Sequence, residues 1–595
     1  MSDPSTAPVN SPAASNDPGP TGASPGGARD RLFRGYGPLI GFTAVFLAIA
    51  VLVPSQQREV RVDPGSAAGV EVAGVTEDLA AVDPGVAVTD PGAPGTDPGA
   101  VEQGSGGAGP DAGGGAGSGG GPGGGPGGGP GGGPGAGPAA IAGCGPQQVP
   151  GDPYSPVCVR FSGGNGGETS RGVTGDSITV AVRIEGFSNG LLDAVSRVAN
   201  AKIPNESPEL IRRTVEGLVE YFNKRFQFYG RKMKLVVYNG KGDVLKEITG
   251  GGQEGAQADA LKVSQEIKAF ADVSAVSPVY ADALSSKGVI NVGAPYTSRE
   301  WMSQRRPFAW SQFPDCSTIA ESVASYFVIK MAGKPAALAG GNLRNQPRRA
   351  AIIAPENSWY QECVRSGVGI AERAGKANDI VLNSKYVIDI PKMSSQADTL
   401  IRQLKDKQVT SVICTCDPLI MTFMTAKARE QGYEPEWLVT GVALVDNDLI
   451  GQILQQDQWG RSFGISFAGA PQPAGQGLGY RAYKSTRSDE PSIGVELIYN
   501  QIYLIALGIQ GAGPNLTPQS FEQGMFNYPR RSGPFGTWGF GPGDYTTAED
   551  AREVFWNPSV NSPQTRSPGT YQDPNGGARF PIGKWPGSPP RSAKG

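Results

Sequence analysis

The chain has 595 residues, with 88 glycines, 51 prolines, six cysteines, no histidine and a formal net charge of −3. The absence of histidine excludes a Ser/His/Asp triad, a Cys/His dyad and any His-ligated zinc or iron, and it removes the commonest general base. A faintly acidic chain offers no global basic field to nucleic acid. Its length exceeds the roughly 250–300 residues at which one core stops growing, so several units are expected.

In chain order, residues 1–36 open with a Ser, Pro, Ala, Gly and Asp mixture that has almost nothing to bury and reads as a disordered cytoplasmic tail. Arg29, Arg31 and Arg34 then precede an uncharged run, GPLIGFTAVFLAIAVLV, at 37–53. That run sits at the lower length limit for a membrane-spanning helix, and the positive charge before it places the N-terminus inside and the rest of the chain outside. The expectation is a single-pass signal anchor in the cell membrane with an extracellular C-terminal part. A cleaved signal peptide is the alternative, against which no clean small-x-small site follows Val53. Residues 54–171 read as a linker: Asp-Pro-Gly recurs from Asp63 to Asp97, and 22 of the 40 positions at 101–140 are glycine. The IAGC box ending at Cys144 resembles a lipidation site but lacks an apolar segment before it, so lipidation is rejected.

From about residue 172, strand-length apolar runs alternate with amphipathic helical patterns. Strands are expected at 177–182, 235–238, 273–276, 289–292, 350–354, 385–388, 411–414 and 437–440. Ser207 and Pro208 make a helix start, and Ile211, Val215, Leu218, Phe222 and Phe226 follow on one face. Further helices are expected near 317–332, 358–375, 396–406 and 419–431. Such alternation means βαβ units, parallel sheets covered by helices and, at this length, two Rossmann-like lobes in an α/β fold. Ligands in these sheets lie outside the C-terminal ends of the strands.

The order of motifs over 172–558 resembles the type I periplasmic binding proteins, in particular the branched-chain amino-acid receptors of ABC transporters. The carrying segments are KLVVYNGKGD (234–243), SSKGVINVGAPYTSREW (285–301), FPDCSTIAESVASYFV (313–328), AAIIAPENSWYQECVRSGV (350–368), AKAREQGYEPEWLVTG (426–441) and SIGVELIYNQIYLIALGIQGAG (492–513). The resemblance implies lobe one at 172–311, lobe two at 312–469, a return to lobe one at 470–535, a return to lobe two at 536–558, and a C-terminal tail at 559–595. It also implies hinged closure on a small molecule and delivery to an ABC permease.

By the same resemblance, Thr297 stands where the family bonds a ligand carboxylate, with Tyr296 beside it. The serine of the family's Gly-Pro-x-x-Ser loop is Ala281 here, leaving Tyr280 as the substitute in SPVYA. Trp359 and Tyr360 fall where an aromatic meets the cleft, and a core role is the plain alternative. Asp417 either binds ligand or caps the helix that starts at Pro418, with the cap favoured. Val442 replaces the glutamate that pairs with a substrate ammonium, with Asp446 and Asp448 a few residues on, and Trp310 stands at a hinge position where arginine is usual.

Outside the cell, disulfides persist. Cys144 and Cys158 close a short loop before the folded part, Cys316 with Cys363 is the first choice in lobe two, and Cys414 and Cys416 are too close together for a four-thiolate zinc site. No metal, cofactor or nucleic-acid partner is expected. The leading function is a membrane-anchored solute-binding receptor that takes an aromatic or apolar ligand, with leucine, isoleucine and valine bound poorly. A ligand sensor of the same fold without transport and an amino-acid receptor are the alternatives. An enzyme is disfavoured because no GxSxG or Ser-x-x-Lys stands at a strand end, and the cleft motifs speak against an adhesion protein.

Overall fold

The computed structural model describes residues 146–184, 206–473 and 475–593. The expected tail, the run at 37–53 expected to span the membrane, most of the linker and Cys144 lie outside the described residues. Among those described, no helix is long and apolar enough to cross a membrane.

Lobe one is built on a parallel sheet with β1 at Ser177–Arg183, β2 at Lys232–Tyr238, β3 at Ala271–Asp272, β4 at Ile290–Val292 and β5 at Ala309–Trp310, in spatial order β2-β1-β3-β4-β5. Helices α1 (Pro208–Arg225), α2 (Gln253–Leu261) and α3 (Pro278–Ser286) make its crossovers. The start of α1 is fixed as its sequence dictates. The Ser207 side chain accepts from the Leu210 amide, Pro208 begins the helix, and Ile211, Val215, Leu218 and Phe222 are buried.

The chain then crosses to lobe two through α4 (Cys316–Tyr326), β6 (Ala350–Pro355), α5 (Ser358–Arg373), β7 (Ile380–Tyr386), α6 (Met393–Asp406), β8 (Ser411–Cys414), α7 (Pro418–Glu430), β9 (Glu436–Val439) and β10 (Ser462–Ser466). It returns to lobe one with α8 (Val495–Ala512) and α9 (Pro518–Phe526), passes a small antiparallel pair, β11 (Arg531–Gly533) and β12 (Gly536–Trp538), and re-enters lobe two at β13 (Asp550–Asn561). β6 to β10 run parallel, and β13 joins β10 antiparallel.

Four sequence expectations change, the first being the strand expected at 273–276, which runs earlier as the two-residue β3 and ends at Asp272. The segment taken as a C-terminal tail supplies β14 (Pro568–Gln572) and β15 (Arg579–Pro581), which extend the lobe-two sheet beside β13. Buried Tyr571 and Trp585 hold it there despite its Gly/Pro content. The end of the supposed linker, from residue 146, packs on lobe one. Asp152 accepts hydrogen bonds from the Tyr499 and Tyr503 hydroxyls of α8 at 3.2 and 2.8 Å, and the buried Tyr154 stacks on Trp538. The strand expected at 385–388 runs earlier, as β7, because an edge strand with Asn383, Ser384 and Lys385 lacks the apolar run that marks a buried one.

Candidate functional site: the cleft between the lobes

In both lobes the loops after the C-terminal strand ends face one another, where open α/β sheets place their ligands. They enclose a cavity of about 620 Å³, a size typical of small-molecule sites. Lobe one contributes residues 242–245 with Ile248 and Thr249 after β2, Val276 and Pro278 after β3, Pro295 and Tyr296 after β4, and Leu497 and Ile498 of α8. Lobe two contributes Tyr360, Ile388, Ile390, Thr415, Cys416, Asp417, Val442, Ala443 and Leu444. Among the described residues lining it, Asp243 and Asp417 are the only charged ones, and no lysine or arginine is present.

The lobe-one wall stands on a buried ion network. Arg183, at the end of β1, pairs with Glu247 at 2.7 Å and Asp259 at 3.1 Å, both beyond the reach of water. The Ser277 hydroxyl also donates to Glu247, at 2.6 Å. Gly242 is required here, because a Cβ at that position would collide with the Arg183 guanidinium and the Glu247 carboxylate. Tyr280 belongs to this network and does not line the cavity. It is fully buried, its ring lies 3.8 Å from the Arg183 guanidinium carbon, and its hydroxyl donates to Asp272 at 3.0 Å.

Tyr296 does line the cavity, with its backbone in the left-handed region at φ 60°. Its hydroxyl accepts from the Ala443 amide of lobe two at 2.8 Å. Burial, with the nearby Asp446 charge, pushes its phenol pKa well up, so it stays neutral. Thr297, next in sequence, is buried behind it and does not line the cavity. Its Oγ1 has no hydrogen-bond partner among the described residues, and its carbonyl accepts from the Cys316 amide at 2.9 Å.

In lobe two, Tyr360 lines the cavity while Trp359 does not. The Trp359 indole lies against Gly250 of lobe one, and Asn357 donates to the Thr249 carbonyl at 3.0 Å. Together they bridge the two lobes beside the cleft. Asp417 caps α7, accepting from the Leu419 and Ile420 amides at 2.8 and 3.1 Å, and its second oxygen accepts from the Tyr386 hydroxyl at 2.6 Å. Burial raises its carboxyl pKa. Asp446 and Asp448 do not take the place of the glutamate replaced by Val442. Asp446 is bonded by the Ser466 hydroxyl at 2.6 Å, Asp448 by Thr570 and the Tyr571 amide at 2.7 and 2.8 Å, and neither lines the cavity. Trp310 is fully buried, its indole donating to the Pro307 carbonyl at 2.8 Å.

Disulfides join Cys316 to Cys363 and Cys414 to Cys416, with Cα separations of 5.7 and 5.0 Å. The first pairing was expected, and the second was not. Cys158 is disulfide-bonded as well. Among the described residues no cluster could hold a metal ion. Sequence reasoning missed the walls at 242–249, Ile388, Ile390, Leu497 and Ile498. The apolar residues that follow strand ends at 388 and 390 were the one available signal.

Two lobes built on parallel-rich sheets, with facing strand ends and an apolar chamber between them, define a two-lobed solute-binding protein. A family model described as periplasmic binding protein matches residues 207–558, and the chain belongs to that family, in its type I, branched-chain amino-acid-receptor-like branch. Similar solved structures include an ABC-transporter substrate-binding protein of Aeropyrum pernix, with 12% identity, 68% of this chain and 96% of that one covered, and a TM-score of 0.46. A solute-binding protein of R. palustris in complex with 4-hydroxybenzoate shares 10% identity over 69% of this chain and 98% of that one, with a TM-score of 0.48. A branched-chain amino-acid transporter substrate-binding protein of Streptococcus pneumoniae in complex with isoleucine shares 13% over 67% and 99%, with a TM-score of 0.45. No curated protein sequence matches the chain.

Proposed function

We propose that the protein is the extracytoplasmic receptor of an ABC importer, held at the cell membrane by residues 37–53, and that it closes on a largely apolar or aromatic organic molecule with a neutral polar end. The observation that carries the ligand class is the wall chemistry of the cleft. Tyr296, Tyr360, Val442, Leu444, Leu497 and Ile498 face it, with no cationic side chain for a carboxylate. Asp417 has both oxygens engaged in its cap and in Tyr386, and Asp243 sits exposed at the start of the short helix Val244–Ile248. Enclosing an ammonium without a facing counter-charge costs several kcal/mol, enough to erase micromolar affinity.

Calorimetry with leucine, isoleucine, valine and a neutral aromatic such as 4-methylphenol tests this. The aromatic is expected to bind and the amino acids to bind poorly. Tight leucine binding overturns the ligand class. For the anchor, protease added to intact cells is expected to remove the folded part and leave residues 1–36 protected. A mature chain beginning after Val53 overturns anchoring.

A further inference from the structure

The cavity does not end at the cleft. Its lining continues into the interior of lobe two, between the helix pair α4–α5 and the sheet. Along α4 it follows Cys316, Ile319, Ala320, Val323, Ala324 and the succeeding Phe327, the spacing of one helical face. Along α5 it follows Tyr360, Cys363, Val364, Gly367 and Ala371, again one face. Ile352 of β6, Ile380 of β7 and Ile413 of β8 form the floor. By pattern these are core positions, and an ordinary core fills the space between them. Here Ala324 and Ala371 are too small to do so, while Gly367 lets α5 close on Ala320 of α4.

The roof is fixed in place independently of any filling. The Cys316–Cys363 disulfide joins α4 to α5 at the end nearest the cleft. At its far end, the turn after α4 is tied to β13 by the buried Lys330–Glu553 pair at 2.8 Å, with Tyr326 donating to the same carboxylate at 2.7 Å. Trp585 packs on Tyr326 and donates to the Ser322 carbonyl at 3.1 Å. That last turn, Phe327–Met331, is π-wound, a distortion frequent at functional sites.

Resting on the reading of the cleft as the ligand site, we propose that lobe two takes the alkyl tail of an amphiphilic ligand whose head occupies the cleft. The tail passes the Cys316–Cys363 bridge and runs beneath α4 and α5. Beyond Tyr360 this branch presents no polar side chain, so an apolar body fills it where water finds no partners. From Cys316 to Phe327 the helix rise gives a length of about 16 Å, enough for an extended chain of roughly a dozen carbons.

Calorimetry of the whole protein with 4-alkylphenols from methyl to dodecyl tests the proposal. Affinity is expected to rise roughly fourfold per methylene and to level off once the tail reaches Phe327. Ala324→Leu and Ala371→Leu, which narrow the branch, are expected to lower the chain length at which the rise stops. In a second arm independent of those variants, a 4-alkylphenol with a terminal diazirine is expected, on irradiation, to label peptides containing 316–331 or 358–373. A rise that stops at the shortest alkyl members, or label confined to other segments, overturns the tail site and leaves the cleft reading standing. No binding by any member, 4-methylphenol included, overturns both.

Discussion

The Tyr296 hydroxyl of lobe one accepts a hydrogen bond from the Ala443 amide of lobe two at 2.8 Å. Both residues, and Leu444 after them, hold their backbones at positive φ. Three non-glycine residues in the left-handed region therefore meet across one cleft, each costing of order 1–2 kcal/mol. Strain of this kind persists where surrounding structure over-determines it, and here the ligand walls and the bond between the lobes coincide.

Tyr296→Phe removes the acceptor and leaves the Ala443 amide unpaired. We expect ligand affinity to fall about fivefold to tenfold, corresponding to ~1 kcal/mol or slightly more. Calorimetry of both proteins with the same ligand measures it, and equal affinities would show that the bond does not favour the closed arrangement.

Leu444→Gly separates strain from binding. Glycine adopts φ 62° without penalty, so thermal unfolding is expected to show a gain of up to about 1 kcal/mol. The same variant loses an apolar wall, so ligand affinity is expected to drop. A variant that is both less stable and unaltered in binding contradicts the assignment.

Among the described residues, burial raises six carboxyl groups, Asp152, Asp272, Asp417, Asp446, Glu496 and Asp544. Asp272 is pushed up to about 6, and Asp544, with Glu549 adding repulsion, to about 7, from an ordinary 3.8. Between those values the folded chain holds protons that the unfolded chain has released. These groups therefore make stability fall as pH rises from about 4 to 7, by up to about 1.4 kcal/mol per pH unit for each group. Chemical denaturation across that range is expected to show the decline, and Asp544→Asn to flatten its upper part. A midpoint that climbs steadily to pH 8 contradicts it.

The two lobe-two disulfides differ in what they constrain. Cys316 and Cys363 are 47 residues apart, and Cys414 and Cys416 only two. In the chain-entropy account, losing the first costs about 4 kcal/mol and losing the second less than half of that. Paired serine substitutions compared by guanidinium unfolding are expected to show this order, and equal losses would mean that local packing, not loop closure, sets the effect.

The fold was legible where burial repeats with a short period. The stripe Ile211, Val215, Leu218 and Phe222 marks α1 because each of these side chains is buried on the lobe-one sheet. The runs at β6 and β8 read as strands because every residue in them is buried. β14 was hidden because Pro568 and Gly569 signal a turn, and its strand character comes from pairing with β13. At the site, Tyr296 and Tyr360 follow strand ends and line the cavity. Tyr280 shares that placement yet is drawn inward by Arg183 and Asp272, partners that no local pattern announces. The branch beneath α4 was unreadable for another reason. Ile319, Val323 and Phe327 carry the signature of core residues, and the space they leave depends on small residues of a second helix and on a sheet floor far away in sequence.

The way residues 146–157 are fastened decides where tension on the preceding chain enters the molecule. Asp152 is gripped by Tyr499 and Tyr503, Gln148 donates to the Arg225 carbonyl at 2.8 Å, and Gln510 donates to the Val157 carbonyl at 3.0 Å, all within lobe one. The Tyr154 hydroxyl of the same segment donates to the Gly536 carbonyl at 2.8 Å and its ring stacks on Trp538, on the stretch that leads to β13, so a pull on the preceding chain is shared by α1, α8 and that crossing. A chain held from its N-terminal side would therefore put its tension on lobe one and on one of the strands leading out of it together.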